Sequence, residues 1–531
     1  MNDLRPDAGS HLRSFVYALL LVTSVGGMAG RIWTVESSLG ETPLLSANDR
    51  SRWATIRALV DHGTFALDDI IFRDRAHSKR DREWYSIDMV RHRGRDGAEH
   101  FYSSKPPLPT VIMAAGYWCL QKLTGATLAD RPFYVVRCLL LAANVLPLAV
   151  YFWLMFRIIE RYGRTDGGRL LVAAGAAYGT FLTTFAVTLN NHVWAAVSAG
   201  LALAAVLPIW CEGQRRLRYF VAAGLFSALA VVNELPALSF AAAVAAALAY
   251  RSPGRFLAGF VPSAAVVAAA FFLTNYWAHG SWSPPYAHRG DGPQVAAEEG
   301  DHLAEIQAGT IPQPLRQKLS ESGIGLSAQA ALQPRWSGQG WMIWDPESQT
   351  RLAVSADERS VQAFVWDQWY EYELSYWLDA RKTGVDLGEP SRLTYAFHVL
   401  IGHHGVFSLT PMWLLSLVGA GIWLARGESR LRAVAAAVLL LSLVCLAFYL
   451  ARPLGDRNYG GVSCGFRWMF WFAPLWLLVM VPAADAIATR PRWRYVALGL
   501  LLLSAMSAAY ASLNPWSHPW LYEYWTSLGW V

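Results

Sequence analysis

Asp49 stands behind an apolar run and ahead of a helical stretch, where its carboxylate could take the proton from an attacking hydroxyl. The same acid also suits the helix start, where Asn and Asp cap the chain and complement its dipole. The two roles can coexist. Lys105, in Ser103-Ser104-Lys105-Pro106-Pro107-Leu108, sits where consecutive prolines open an apolar helix. It could hold a phosphate there or simply snorkel to the boundary. Arg137 lies inside the apolar run Phe133 to Phe156, and ionisable groups at such depth face cavities or partners.

Asn190-Asn191-His192 and Asn233-Glu234 interrupt two further apolar hairpins. Asn191, His192 and Glu234 read either as contacts to an acceptor or as an interhelical hydrogen-bond clasp. His403 and His404 are adjacent. On a helix such a pair points about 100° apart and seldom chelates one metal, so a sugar or phosphate contact and an interfacial pair without a role both stand. Tyr459, a candidate acceptor or substrate contact, lies in Asn458-Tyr459-Gly460-Gly461-Val462-Ser463-Cys464-Gly465-Phe466-Arg467-Trp468, whose glycines let backbone approach a ligand and whose Arg467 lies where a lipid phosphate meets the boundary. No residue pattern gives a metal site.

The elements that must position these residues are apolar. Of 531 residues, 54% are hydrophobic and 16% charged, and the apolar residues are bunched into runs long enough to cross a bilayer. Runs at Phe15 to Ala29, Phe133 to Phe156, Leu170 to Leu189, Val193 to Trp210, Phe256 to Leu273, Met412 to Leu424, Ala433 to Leu450, Met469 to Ala484 and Val496 to Ala511, with Phe220 to Tyr250 split at Asn233-Glu234-Leu235-Pro236, predict about eleven spans (a range of about 10–13). The fold class expected is an all-α polytopic membrane protein with a small α+β insertion on the outer face. Arginines in short loops, such as Arg157, Arg161, Arg164 and Arg169, mark the cytoplasmic side and put the N-terminus inside. The first run is expected to be retained as a span rather than cleaved. Pro106 to Leu123 would break this alternation as a span, so it is assigned to a re-entrant or membrane-surface helix.

The expected divisions are 1–33, the first span; 34–132, an outer loop with surface and re-entrant helices; 133–275, a transmembrane bundle; 276–395, an extracytoplasmic insertion; and 396–531, a second bundle. In the outer loop, Trp53, Ile56, Leu59 and Val60 share one helical face, which suits a helix lying on the membrane. In the insertion, Gly340 to Trp344 and Arg351 to Val354 read as a hairpin, and Trp366 to Trp377 as an aromatic helix whose Trp366, Trp369, Tyr370 and Tyr372 could stack on sugars or fill a core. The net charge of +6 is a topology signal, and nucleic acid is not an expected partner. Cys119, Cys138, Cys211, Cys445 and Cys464 have neither disulfide nor zinc spacing.

In chain order, Asp49 with Arg52-Trp53-Ala54, Lys105-Pro106-Pro107-Leu108, the Arg137 span and Gly465-Phe466-Arg467-Trp468 resemble the GT-C class of membrane glycosyltransferases, in particular the protein O-mannosyltransferases and the lipid A aminoarabinose transferases. The resemblance covers most of the membrane region and leaves out Asn275 to Arg392. It implies a polyprenyl-phosphate-linked sugar as donor, a lipid, glycan or protein acceptor, and inversion at the anomeric carbon on the outer face of a bacterial inner membrane. Asp49 would then be the base, with Lys105, Arg137 and Arg467 on the donor phosphate. No cofactor is certain from it, though a divalent cation has room. Two departures stand out: Asp49-Arg50 where relatives often have Asp-Glu, and Asn190-Asn191-His192 where they carry an acid. Rival classes are a lipid-linked saccharide transporter or flippase, whose polar groups belong near the midplane in related halves, and a surface-polysaccharide polymerase or ligase.

Overall fold

A computed structural model describes residues 8–74 and 79–531. Among them, seven helices are long and apolar enough to cross a membrane: His11–Thr34, Pro132–Tyr162, Asn191–Glu212, Pro253–His279, Ser429–Leu450, Arg467–Ala488 and Pro491–Tyr510. The chain is an integral membrane protein on this ground. Three shorter apolar helices, Leu217–Asn233, Leu235–Arg251 and Trp413–Arg426, fall on other expected spans. Pro236 explains the break between the first two, since proline removes a helical donor and biases the residue before it away from helix. Pro107–Thr124 is one helix and is not among the seven. The expectation of about eleven spans is therefore met by seven.

The remaining run, Leu170 to Leu189, is not a continuous helix. Asp166–Tyr178 ends at Gly179, where a Cβ would come within 2.5 Å of the Met412 sulfur. The chain then runs to Asn190 without a continuous helix, through a turn at 181–184, where the Phe185 N–H donates to the Phe181 carbonyl at 3.0 Å, and a short turn at Phe185–Val187. Backbone released from a helix in an apolar setting needs new partners, and polar side chains supply them. Asn144 Nδ2 donates to the carbonyls of Ala186 and Thr188, both at 2.9 Å. Asn190 Nδ2 donates to those of Phe185 and Thr188, both at 2.8 Å. Helix Asn191–Glu212 restarts with Asn190 Oδ1 accepting from the Val193 N–H.

By its contacts the chain divides into two units, one of residues 1–49, 115–271 and 384–531, the other of residues 50–114 and 272–383. The second unit holds the strands. β1 (Phe72–Asp74) pairs with β2 (Lys79–Arg80), and β3 (Met89–Arg93) with β4 (Glu99–Ser103), each pair antiparallel. β5 (Gln294–Glu299), β6 (Ala331–Pro334), β7 (Trp341–Asp345), β8 (Thr350–Ala356) and β9 (Ser360–Val365) form an antiparallel sheet in the order β5-β9-β8-β7-β6. The expected hairpin is β7–β8, with Asp345 opposite Thr350. Leu352, Val354, Val361 and Ala363 pack under Ile306, Leu315 and Leu319 of two short helices.

Two expectations fail here. No helix forms over Trp366 to Trp377, because its backbone groups are used by other strands and loops. The Trp369 N–H donates to the His288 carbonyl at 3.1 Å, while the Trp369 carbonyl accepts from Arg91 at 2.8 Å. Trp369 and Tyr370 pack instead with Val90 and Tyr102. Nor does the helix Ala47–Arg57 lie with one apolar face on a membrane surface. From Asn48 to Ile56 every residue except Arg50 is buried, so no apolar stripe is left over for lipid.

His92 on β3 gives the second unit an acid sensitivity. Its ring lies between Tyr102 at 4.2 Å and Trp369 at 4.0 Å. Nδ1 donates to the Arg93 carbonyl, and Nε2 faces His279 Nδ1 at 3.0 Å. Burial pushes the His92 pKa down to about 4, opposed by the Arg93 bond and assisted by the imidazoles of His288 and His100. The unfolded chain, with a histidine pKa of about 6.5, therefore takes up a proton that the folded one refuses. Stability contributed by this group is complete above about 6.5 and declines as pH falls toward 4. Thermal midpoints measured across that window should slope less for His92→Phe than for wild type.

Candidate active site

Asp49 sits in the first turn of helix Ala47–Arg57 and is 1% exposed. Its two carboxylate oxygens accept backbone N–H groups, Oδ2 from Leu45 and Oδ1 from Leu189, each at 3.1 Å. The cap at this helix start is Ser46, whose hydroxyl accepts from the Asp49 N–H at 3.1 Å. Asp49 is thereby relieved of capping, and its carboxylate is fixed on the unwound segment just before helix Asn191–Glu212. That segment can offer Leu189 N–H only because it has left the helix.

Arg467, at the start of Arg467–Ala488, reaches the same stretch. Its Nη1 donates to His192 Nε2 at 2.5 Å, and its Nε donates to the Gly460 carbonyl at 2.8 Å. The guanidinium lies 4.9 Å over the Trp516 ring, and Trp516 Nε1 donates to Thr188 Oγ1 at 3.1 Å. Because His192 Nε2 accepts, its proton is assigned to Nδ1, which donates to Glu234 Oε1. Asn191 Nδ2 donates to the same oxygen at 2.7 Å and to the Asn233 carbonyl at 2.9 Å. Asn191, His192 and Glu234 thus form the clasp that the sequence left open, and the clasp bears on Arg467. Gly460 is held at φ +93°, and a Cβ there would lie 2.3 Å from Arg467 Nε, so glycine is required for the approach.

Asp49 and Arg467 are accordingly bonded to residues 189 and 192, three positions apart along one stretch of chain. Three residues of backbone reach at most about 10 Å. An acid and a cation therefore border the same short segment. Replacing Glu234 by Ala removes the acceptor of two donors, His192 Nδ1 and Asn191 Nδ2. Asn191 Nδ2 keeps the Asn233 carbonyl, while loss of the Glu234 acceptor for the buried His192 Nδ1 costs about 1–3 kcal/mol, so a fall in thermal midpoint is expected by calorimetry or thermal-shift assay.

Other candidates stand elsewhere. Lys105, in the second unit, forms an ion pair with Asp88 at 3.0 Å, with its N–H donating to Ser103 Oγ. Arg137 packs its guanidinium 4.7 Å from the Phe133 ring and 5.6 Å from that of Trp33, and Nη2 donates to the Val35 carbonyl at 3.3 Å. His403 and His404 are 2% and 0% exposed. His404 stacks on Tyr459 at 4.1 Å, and His403 on His398 at 3.9 Å. Burial, with the imidazoles of His398 and His518, pushes His403 down to about 3, and burial with the His403 imidazole also holds His404 well below the usual histidine range, so both are neutral near pH 7. The Tyr459 hydroxyl donates to Glu389 Oε1 at 2.6 Å.

Sequence reasoning passed over Leu189, Trp516 and Asn144, which act here through backbone or support, and read Gly460 as approaching a ligand where it approaches Arg467. One signal was present: Thr180, Thr183, Thr184 and Thr188 lie inside the run read as a span. Such a density of hydroxyls is unusual for a lipid-facing helix and fits an unwound one.

No protein-family model matches the chain, and no curated protein matches it. Among solved structures, it is similar to the oligosaccharyltransferase of Archaeoglobus fulgidus in complex with Zn and sulfate, with a TM-score of 0.43 and 12% identity over 94% of this chain and 53% of that one. The same archaeal enzyme in complex with an inhibitory peptide and a dolichol-phosphate gives 0.39 and 12%, over 97% and 57%. The protein O-mannosyltransferase complex of S. cerevisiae bound to the sugar donor gives 0.41 and 12%, over 97% of this chain and 92% of that one. The chain spans about half the length of the archaeal enzyme it matches.

Proposed function

We propose that the chain is a glycosyltransferase that moves a sugar from a polyprenyl-phosphate donor to a hydroxyl or phosphate acceptor, with inversion, on the outer face of the membrane. The observation that carries this reading is the tethering of the Asp49 carboxylate and the Arg467 guanidinium to one four-residue stretch, Leu189 to His192. For a hydroxyl acceptor, the Asp49 carboxylate takes the proton as the oxygen attacks the anomeric carbon. The bond from that carbon to the phosphate oxygen breaks, and polyprenyl phosphate departs with the electron pair. Arg467 meets the negative charge gathering on the leaving phosphate.

The clasp of His192, Glu234 and Asn191 belongs to this reading as the support that keeps Arg467 in place. Fixed donors aimed at developing charge need no reorganisation during the reaction. Lys105, already paired with Asp88, and Arg137, packed on two aromatic rings, are given no direct part in the step. The reading is tested with purified full chain in liposomes, supplied with polyprenyl phosphates carrying a hexose or a pentose. Release of free polyprenyl phosphate together with a glycosylated acceptor is the expected result. Movement of intact donor across the bilayer, without bond cleavage, would establish a flippase instead.

A further inference from the structure

Beyond the arginine site, the segment from Glu389 to His404 gathers a second set of chemical groups. Glu389, His398 and His403 each offer one donor atom, and the three atoms lie within 4.8 Å of one another. Glu389 precedes helix Arg392–Leu400, His398 lies in its last turn, and His403 follows in the next turn of chain. All three come from one short piece of backbone, so little chain entropy opposes their convergence. The rings of His398 and His403 are already stacked, 3.9 Å apart and 23° from parallel. A tetrahedral zinc with bonds of about 2.0–2.2 Å spaces its ligand atoms about 3.3–3.5 Å apart. The donor atoms, within 4.8 Å of one another, must draw closer than this limit to reach that spacing, and the stacked rings must turn so that their in-plane nitrogens converge on the ion.

The surroundings are those of a built site. His398 Nδ1 is buried and makes no hydrogen bond among the described residues. A Cβ at Gly402 would come within 2.6 Å of that nitrogen, so the glycine keeps the space beside it open. Each of the other two groups has an orienting neighbour. Tyr459 donates its hydroxyl to Glu389 Oε1 at 2.6 Å, and His404 Nδ1 meets His403 Nδ1 at 2.5 Å. Outer hydrogen bonds of this kind fix the angle of a ligand toward its metal. The rings of Trp525 and Tyr522 flank His403 at 5.7 Å and 5.1 Å and exclude water from that side.

We infer that Glu389, His398 and His403 form a binding site for one divalent transition-metal ion of the zinc type. Two imidazole nitrogens and one carboxylate oxygen make a borderline-soft set, whereas calcium or magnesium would want oxygen ligands throughout. The ion's task is architectural. The Glu389 N–H donates to the Arg457 carbonyl at 2.8 Å, and Tyr395 donates its hydroxyl to the Asn458 carbonyl at 2.7 Å. Through these bonds and Tyr459, a bound ion pins the turn whose Gly460 carbonyl receives Arg467. The site stands whether or not the chain transfers a sugar.

The test uses full-length protein in detergent, stripped with a chelator, dialysed, and titrated with zinc chloride alone while bound metal is counted by elemental analysis. One equivalent of zinc per chain is expected, lost in His403→Ala and in Glu389→Gln, and retained in His518→Ala, which changes a histidine in the same aromatic cluster but outside the trio. Tyr459→Phe should weaken binding by about 10–100-fold. Cobalt in place of zinc should give the visible absorption of a tetrahedral ion. Should Ala variants fail to fold, His398→Cys, which keeps a zinc ligand, is expected to bind one equivalent with a sulfur-to-cobalt charge-transfer band. Wild-type protein that takes up no stoichiometric zinc, or variants of the trio that bind as wild type does, would overturn the assignment.

Discussion

Asp49→Asn is expected to lower turnover in the liposome assay by about 10²–10⁴-fold, the usual worth of a positioned general base. The substitution keeps the shape of the side chain and removes its ability to accept a proton. It also has a structural cost that the geometry makes explicit. Both carboxylate oxygens accept backbone N–H groups, from Leu45 and Leu189, so the amide of Asn must turn an NH₂ toward one of them. One buried donor then faces another, a conflict worth about 1–3 kcal/mol. A modest fall in thermal midpoint should therefore accompany the loss of turnover, while binding of the polyprenyl-phosphate sugar is retained. Near-normal turnover in this variant would remove Asp49 from the role of base.

Arg467→Lys preserves the positive charge and is still expected to reduce turnover by about 10²–10³-fold, comparable to deleting a donor aimed at a developing anion. Lysine is a flexible point charge and cannot reproduce a planar fork. In this protein the fork has a defined seat: Nε and Nη2 on the Gly460 carbonyl, Nη1 on His192, and one face over Trp516. The effect should fall mainly on kcat. If the Arg467→Lys variant turned over as wild type does, charge alone would suffice, and the seat built by His192 and Glu234 would be irrelevant to rate.

The legible part of the fold was what hydropathy and proline control. Long apolar runs located seven helices, and Asn233-Glu234-Leu235-Pro236 placed a helix break where one occurs. The run Leu170 to Leu189 misled because its composition is apolar while its hydrogen bonding is tertiary. Nothing local to it says that Asn144, more than forty positions away, supplies the amide that makes unwinding tolerable. The aromatic stretch Trp366 to Trp377 failed for a related reason, its backbone being claimed by Arg91 and His288 from remote segments. Asp49, Glu234 and Arg467 were legible as singular charges at apolar boundaries. Their partners were not, because Leu189 and Gly460 contribute only main-chain atoms, which any residue type carries.

The interrupted path of the second unit has a consequence for how the protein is made. Its hairpin β3–β4 is synthesised early, yet the residues that cover Val90 and Tyr102, namely Trp369 and Tyr370, leave the ribosome more than two hundred and sixty positions later. Between them the chain must deliver 115–271, which belongs to the other unit. The nascent hairpin waits through that interval with Phe65 and Ala278 of its cluster but without Trp369 and Tyr370, and a pause or truncation before position 369 leaves that cluster incomplete, a state prone to misassociation.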